Sequence, residues 1–226
     1  MKQLISILLL VTFVGITGLC DEQKVFYTDG PKTRKAVALT FDDGPGINTE
    51  KVLQVLKKHG IKATFFMEGS CLEYCSPSAK LVQAAGHEIG SHLYSHPDFW
   101  NYKKDDFREV WNKEADKSEK AFRAKLGIKP VLMRMPHGYV KPWVKEEARK
   151  RGYILINWTC GYDWHKMTAE AMAAEYIKCI RPGAIFLMHD GGKNRQRTLD
   201  ALEIVLRELE QRGYQLVTVS ELLGFK

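Results

Sequence analysis

Residues 36–45, AVALTFDDGP, decide the reading of this chain. Residues 36–41 form a short apolar run of the kind that reads as a buried strand. The run ends on two adjacent carboxylates, Asp42 and Asp43, followed by Gly44-Pro45. Neighbouring carboxylates at a strand terminus repel each other and lose hydration unless a positive group adjoins them, and a metal ion or an arginine is the natural partner. The plainer reading is a turn in which Asp43-Gly44 simply reverses the chain.

Working outward, short β-type runs alternate with helical periodicity from Lys35 onward. Strands are expected at residues 36–41, 61–66, 87–90, 131–133, 153–158, 184–188 and 215–219. Helices are expected at 49–59 (capped by Asn48 or Thr49), 76–86 (opened by Ser76-Pro77), about 105–126, 142–151, 168–179 and 198–211. Regular β–α alternation implies parallel strands joined by right-handed crossovers, hence an α/β fold built as an open doubly wound sheet or a barrel. No Pro/Gly/Ser-rich linker interrupts residues 35–222, which read as one domain without internal repeats.

The chemistry gathers where these strands end. After the third strand comes SHLYSHP (91–97), whose His92 and His96 are four apart and reach one side of a helical turn. Chance surface histidines explain most such pairs. Coupled to Asp43, they make a three-ligand set that leaves zinc an open coordination position, as catalysis requires. His87 is out of register with the pair and reads as structural. After the fourth strand stands RMPHGY (134–139), and an arginine there can hold a carboxylate in a bidentate fork. WTCGYDW (158–164) follows the fifth strand and LMHDG (187–191) the sixth. Each fragment alone has a bland reading: Arg134 a salt bridge, the tryptophans core, His189 a satisfied loop histidine. Collectively they favour a site, because parallel α/β folds gather functional groups at the carboxyl ends of strands.

TFDDGP, SHLYSH, RMPHG, YDW and LMH, in this order, resemble the five motifs of the NodB-type polysaccharide deacetylases, carbohydrate esterase family 4. The resemblance spans residues 35–222. It implies a distorted (β/α)7 barrel and metal-dependent removal of N- or O-acetyl groups from polysaccharides. Carried over by position, Asp42 is the general base, and Asp43, His92 and His96 hold a divalent metal, zinc first and cobalt as the alternative. Arg134 orients and tunes Asp42. His189 is the general acid, with Asp163 setting its protonation. Trp164 and Leu187 wall the acetyl pocket, and the backbone N–H of His137 joins the metal in stabilising the oxyanion. Two departures stand out. His137 occupies a place usually aromatic, and 158–164 is one residue tighter than the family spacing, with Cys160 and Gly161 where an earlier aspartate is common.

Composition frames this reading. At 45% hydrophobic and 27% charged, the 226 residues exclude a disordered, collagen-like or polytopic membrane chain. Residues 4–19 carry no charge after Lys2, a run short of the roughly 20 apolar residues of a membrane span, so residues 1–20 read as an export signal. An uncleaved anchor is the alternative, and Cys20-Asp21 also suggests a lipoprotein-type signal, which Leu19 argues against. Residues 21–34 are expected to be a linker. Five cysteines are an awkward count for an oxidising compartment. Setting Cys20 aside leaves four, among which Cys71 and Cys75 are close enough for a local bridge, Cys160 and Cys179 are distant in sequence, and four free thiols are the alternative.

The net charge of +7 suits approach to an anionic cell wall. The leading expectation is an exported, monomeric enzyme, periplasmic, envelope-attached or secreted, that deacetylates an N-acetylglucosamine polymer, peptidoglycan before chitin. O-acetylated xylan is the alternative substrate. A catalytically dead wall-binding protein is a third reading, against which the intact ligand set speaks. Basic residues scattered over helix faces give no aromatic-interleaved nucleic-acid stripe beyond residues 141–151.

Overall fold

The computed structural model describes residues 24–192 and 194–225. The expected export signal, residues 1–20 with Cys20, lies outside the described residues. Chain order begins with β1 (Phe26–Tyr27), a strand inside the stretch expected to be a linker. It pairs in parallel with the chain near Leu155 and Ile156, while the Gly30 N–H donates to Gly183 O. Residues 24–34 therefore extend the sheet edge instead of tethering it.

Next come β2 (Ala36–Gly44), α1 (Thr49–Lys58), β3 (Thr64–Met67), α2 (Gly69–Ala84), β4 (Glu88–Ser91), α3 (Phe107–Leu126) and β5 (Leu132–Met133). A 3-10 turn (Pro136–Gly138) leads to α4 (Pro142–Arg151), β6 (Ile154–Ile156), β7 (Cys160–Gly161), α5 (Ala169–Lys178), β8 (Ile185–His189), α6 (Gln196–Gln211), β9 (Gln215–Val217) and α7 (Val219–Leu223). All seven expected strands are present. The pairings are parallel in the order β1-β6-β5-β4-β3-β2-β8-β7. This is a curled, incompletely closed barrel of the α/β class.

Strand β2 is the axis of the sheet. At nine residues it is long enough to pair with β9 through Ala36–Ala38 and with β8 from Ala38 to Asp42, with β3 on the other side. Its buried Val37, Leu39 and Phe41 join Phe65 and Phe186 in the main core. Helix α6 closes that core with Leu199, Leu202, Val205, Leu206 and Leu209. Each such side chain contributes about 1.5–3 kcal/mol on burial.

Three local expectations are corrected. Helix α2 starts at Gly69, not at Ser76; the two segments join across a kink at Cys75 (φ −121°, ψ 30°), so the Ser76-Pro77 signal marks the second segment. The first segment forms because Gly69 and Ser70 N–H groups donate to Leu93 O and Tyr94 O. Neither expected cap makes a side-chain cap bond to α1: Asn48 turns to Asp190 O and Gly192 O, and Thr49 to Asp190 Oδ2 and Gly46 N. The last strand stops at Val217, because Thr218 caps α7 in a reciprocal capping box with Glu221.

The four described cysteines are free. Cys71 is turned toward Asp43 O (3.7 Å) and Glu68 Oε2 (3.9 Å), so no local bridge to Cys75 forms. Cys160 and Cys179 both pack on the main core. No helix among the described residues is long and apolar enough to cross a membrane.

At the end of α1, His59 is clamped between Glu210 (2.7 Å) and Glu203 (3.2 Å) of α6. Burial lowers its pKa, but the two carboxylates outweigh that and raise it above the ordinary imidazole value. A raised folded-state pKa stabilises fully below about pH 6.5 and loses that contribution as pH rises through the folded value. His59→Ala is expected to lower Tm by about 2–4 °C more at pH 6 than at pH 9, the shift that ~1 kcal/mol produces in a domain of this size. Thermal melts at the two pH values check it; equal losses would assign the effect to packing alone.

Candidate active site

The sheet register brings the motif residues level. Asp42 lies directly beside His189, and Met67 beside Ser91, whose other neighbour is Met133. The ends of β2, β4, β5 and β8 therefore deliver Asp42-Asp43, His92, Arg134 and His189 to one end of the sheet. A cleft of about 480 Å3 opens there, lined among others by Asp42, Asp43, His92, His96, His137, Trp164, Leu187 and His189.

The paired carboxylates are separated by a break in strand geometry. The β2–β3 register shifts between Asp42 and Gly44, and Asp43 takes a left-handed conformation (φ 67°). Asp42 is thereby given to Arg134 and Asp43 to the histidines. Arg134 is fully buried, and its NH1 donates to Asp42 Oδ1 (2.8 Å) and Thr40 Oγ1 (2.7 Å). Nε and NH2 bond to Ile156 O and Asn157 O, and the guanidinium lies 4.2 Å from the Phe66 ring centroid. The expected bidentate fork is instead a single-pronged contact, because the other donors tie the arginine to β6.

His92 and His96 converge, but not on a helix. They sit on a turn after β4 in which Leu93 (φ 62°) and His96 (φ 56°) are left-handed. His92 Nδ1 donates to Arg134 O (2.8 Å), which leaves the neutral ring a lone pair at Nε2. That lone pair lies 3.4 Å from Asp43 Oδ1, and His96 Nε2 lies 3.5 Å from the same oxygen. Asp43 Oδ1 is buried without a hydrogen-bond partner. Acceptors facing an orphaned carboxylate oxygen fit a cation between them, and Asp43, His92 and His96 are the group whose ligand atoms lie within 4.8 Å of one another. Burial would raise Asp43, but when the imidazoles are protonated, contact with His92 and the charges of His189 and His96 hold it well below the usual carboxylate range.

Across the cleft, Asp163 binds His189 twice, at the backbone N–H (2.8 Å) and at Nδ1 (2.7 Å), and accepts from Thr198 Oγ1 (3.1 Å). Burial lowers the His189 pKa and Asp163 more than restores it, so the imidazole holds its proton above the ordinary value. Leu187 is buried and Trp164 half exposed, 5.7 Å from the His189 ring. His137 is left-handed (φ 54°), its ring 4.5 Å from that of His96 and its carbonyl accepting from Trp100 Nε1 (3.2 Å). All ten expected site residues lie at or beside this cleft. His87 is structural, accepting from the Ala63 N–H at 3.1 Å. In the loop of residues 96–102, Phe99 is buried and Trp100 exposed.

Sequence reasoning missed Arg195, Met135, Trp158 and Asp190. The first three line the cleft. Arg195 Nε donates to Gly191 O (2.8 Å), and its terminal nitrogens lie 3.9 Å from Asp43 Oδ2 and from Asp163 Oδ2. Nothing in GGKNR separates it from a solvated basic loop. Asp190 is completely buried under the motif turn; burial, with Asp42 and Asp43 nearby, raises its pKa to about 7. A Cβ on Gly44 would meet its Oδ2 at 2.4 Å, so only glycine admits this packing.

The profile of the polysaccharide deacetylase family matches residues 29–156. The chain belongs to the polysaccharide deacetylase family. This polysaccharide deacetylase is 36% identical over 200 residues to a peptidoglycan-N-acetylglucosamine deacetylase of Bacillus cereus, covering 87% of this chain and 92% of that protein. It is 38% identical over 197 residues to the peptidoglycan-N-acetylglucosamine deacetylase PgdA of Listeria monocytogenes, which is 86% of this chain but 40% of the longer protein. Among solved structures, a peptidoglycan N-acetylglucosamine deacetylase superposes with a TM-score of 0.83 at 30% identity, over 91% of this chain and 96% of that one. The family is metal-dependent, and the donor set of this polysaccharide deacetylase fits that requirement.

Proposed function

We propose that this chain is an exported hydrolase that removes N-acetyl groups from the N-acetylglucosamine units of peptidoglycan. The observation that carries the reading is the orphaned Asp43 Oδ1 facing the imidazoles of His92 and His96 in the same cleft as the Asp42–Arg134 and Asp163–His189 pairs. Similarity to peptidoglycan-N-acetylglucosamine deacetylases supports the substrate class.

A divalent ion, zinc before cobalt, held by Asp43, His92 and His96 would polarise the acetyl carbonyl and acidify an attacking water. Asp42 takes the proton from that water as the C–O bond forms. Arg134 keeps Asp42 aimed by binding one of its two oxygens, leaving the other free for the proton. The His137 backbone N–H donates to the oxyanion of the tetrahedral intermediate. As the C–N bond breaks, His189 gives its proton to the departing amine, and Asp163 stabilises the imidazolium beforehand. The products are acetate and a free amino sugar. Trp164 and Leu187 give the acetyl methyl an apolar wall. Action at the cell envelope as a monomer, either free or held there by residues 1–20, follows from the same reading.

Acetate release from peptidoglycan, abolished by a chelator and restored by zinc, tests the proposal. Release that ignores the chelator would end it. Parallel rates on O-acetyl xylan decide between N- and O-acetyl substrates. Gly191→Ala probes the geometry: an added Cβ would meet Asp43 O at 2.1 Å, displacing Asp43. Acetate release is expected to fall about 10- to 100-fold, since displacements near 1 Å have effects of that order. Wild-type rates in this variant would show that Asp43 tolerates displacement.

A further inference from the structure

The cleft holds a second arginine for which the reaction sequence above has no use. Arg195 is pinned at one end, where Nε donates to Gly191 O at 2.8 Å. Its terminal nitrogens reach no acceptor at hydrogen-bond distance among the described residues; their nearest acids, Asp43 and Asp163, each stand off at 3.9 Å. At that separation the charges restrain the guanidinium without consuming its N–H groups. Four N–H donors thus remain on a planar, always-charged head whose side chain is 19% exposed in the cleft.

Position narrows what those donors meet. Arg195 stands on the loop after β8, between the carboxylate assigned to the metal and the one that orients His189. Asp163 holds the general acid His189, which must face the departing amine, so this is the leaving-amine side of the cleft. A group arriving there is attached to the amide nitrogen, which makes it the sugar.

We propose that Arg195 is a specificity-determining residue that hydrogen-bonds an oxygen of the sugar ring bearing the acetamido group. The inference rests on the deacetylase reading above and adds to it a contact that distinguishes a glycan from any other acetyl donor. The lysine variant keeps the charge but presents a point donor in place of the fork, so it restores part of the contact.

The test compares Arg195→Met and Arg195→Lys with wild type on two substrates, an N-acetylglucosamine oligosaccharide and an aryl acetate that has no sugar. For Arg195→Met, glycan kcat/KM is expected to fall about 10- to 100-fold, mainly through KM, as loss of a charged hydrogen bond predicts. The ratio of glycan to aryl acetate activity should shift at least tenfold, with the lysine variant in between. Equal falls on both substrates would overturn the proposal and make Arg195 a support for Asp43 and Asp163. No fall on either would overturn it as well. Wild-type enzyme that cleaves the aryl acetate but releases no acetate from the glycan is a separate result, ending both the substrate reading and this inference.

Discussion

Asp43→Ala is expected to abolish metal retention and lower acetate release by about 10³-fold or more, while the protein stays folded. The rate loss follows from removing one of three ligands and with it the polarising ion. The fold should survive for a local reason. Asp43 Oδ1 has no hydrogen-bond partner, so the loss is confined to charge contacts with His92, His96 and His189 at the cleft and leaves the packed core untouched. Elemental analysis of purified protein should find a divalent ion in wild type and its loss in the variant. Melts of the two metal-free proteins should agree within a few degrees. A variant that keeps the ion and the rate would move the metal away from these ligands.

Arg134→Met should have the opposite balance, with both activity and stability lost. Arg134 and Asp42 are almost fully buried, so removing the guanidinium strands a carboxylate in the core along with Thr40 Oγ1 and two strand-end carbonyls. Breaking a buried pair in this way costs about 3–5 kcal/mol, or roughly 6–20 °C in Tm for a domain of this size. Acetate release should fall by about 10²-fold or more, because Asp42 loses the hydrogen bond that aims it at the reacting water. Arg134→Lys cannot reach Ile156 O, Asn157 O, Thr40 and Asp42 together, and should recover only part of either loss. A methionine variant melting with wild type would show that Asp42 is solvated and that the arginine is not its support.

Much of the fold was legible because parallel strands advertise themselves. Five of the seven buried runs ended in a motif loop, and all seven expected strands formed. What escaped was set by partners distant in sequence. Phe26–Tyr27 looked like a linker because two residues make a strand only when β6 offers its edge. Helix α2 began early because the turn carrying His92 and His96 supplies carbonyls for its first N–H groups. Asn48 gave up its capping role to bind the loop after β8. The site residues were readable for the same reason as the strands, being spaced along motifs. Arg195 and Asp190 were not, since a basic residue in a polar loop and an acid after a histidine carry no signature of burial or aim.

Sequence alone determined the class of chemistry. Two acids, two histidines four apart, an arginine and a further histidine, each following a buried run, point to a metal site on a parallel α/β scaffold, and the resemblance of those motifs to the NodB-type deacetylases implies the hydrolase. Only the tertiary structure decided how the acids divide their work. A bulge at Asp43 and left-handed turns at Leu93 and His96 place one carboxylate against a buried guanidinium and the other against two imidazoles. Residue order lists the groups, but which carboxylate meets the guanidinium (2.8 Å) and which the imidazoles (3.4 and 3.5 Å) is set by packing across four strands.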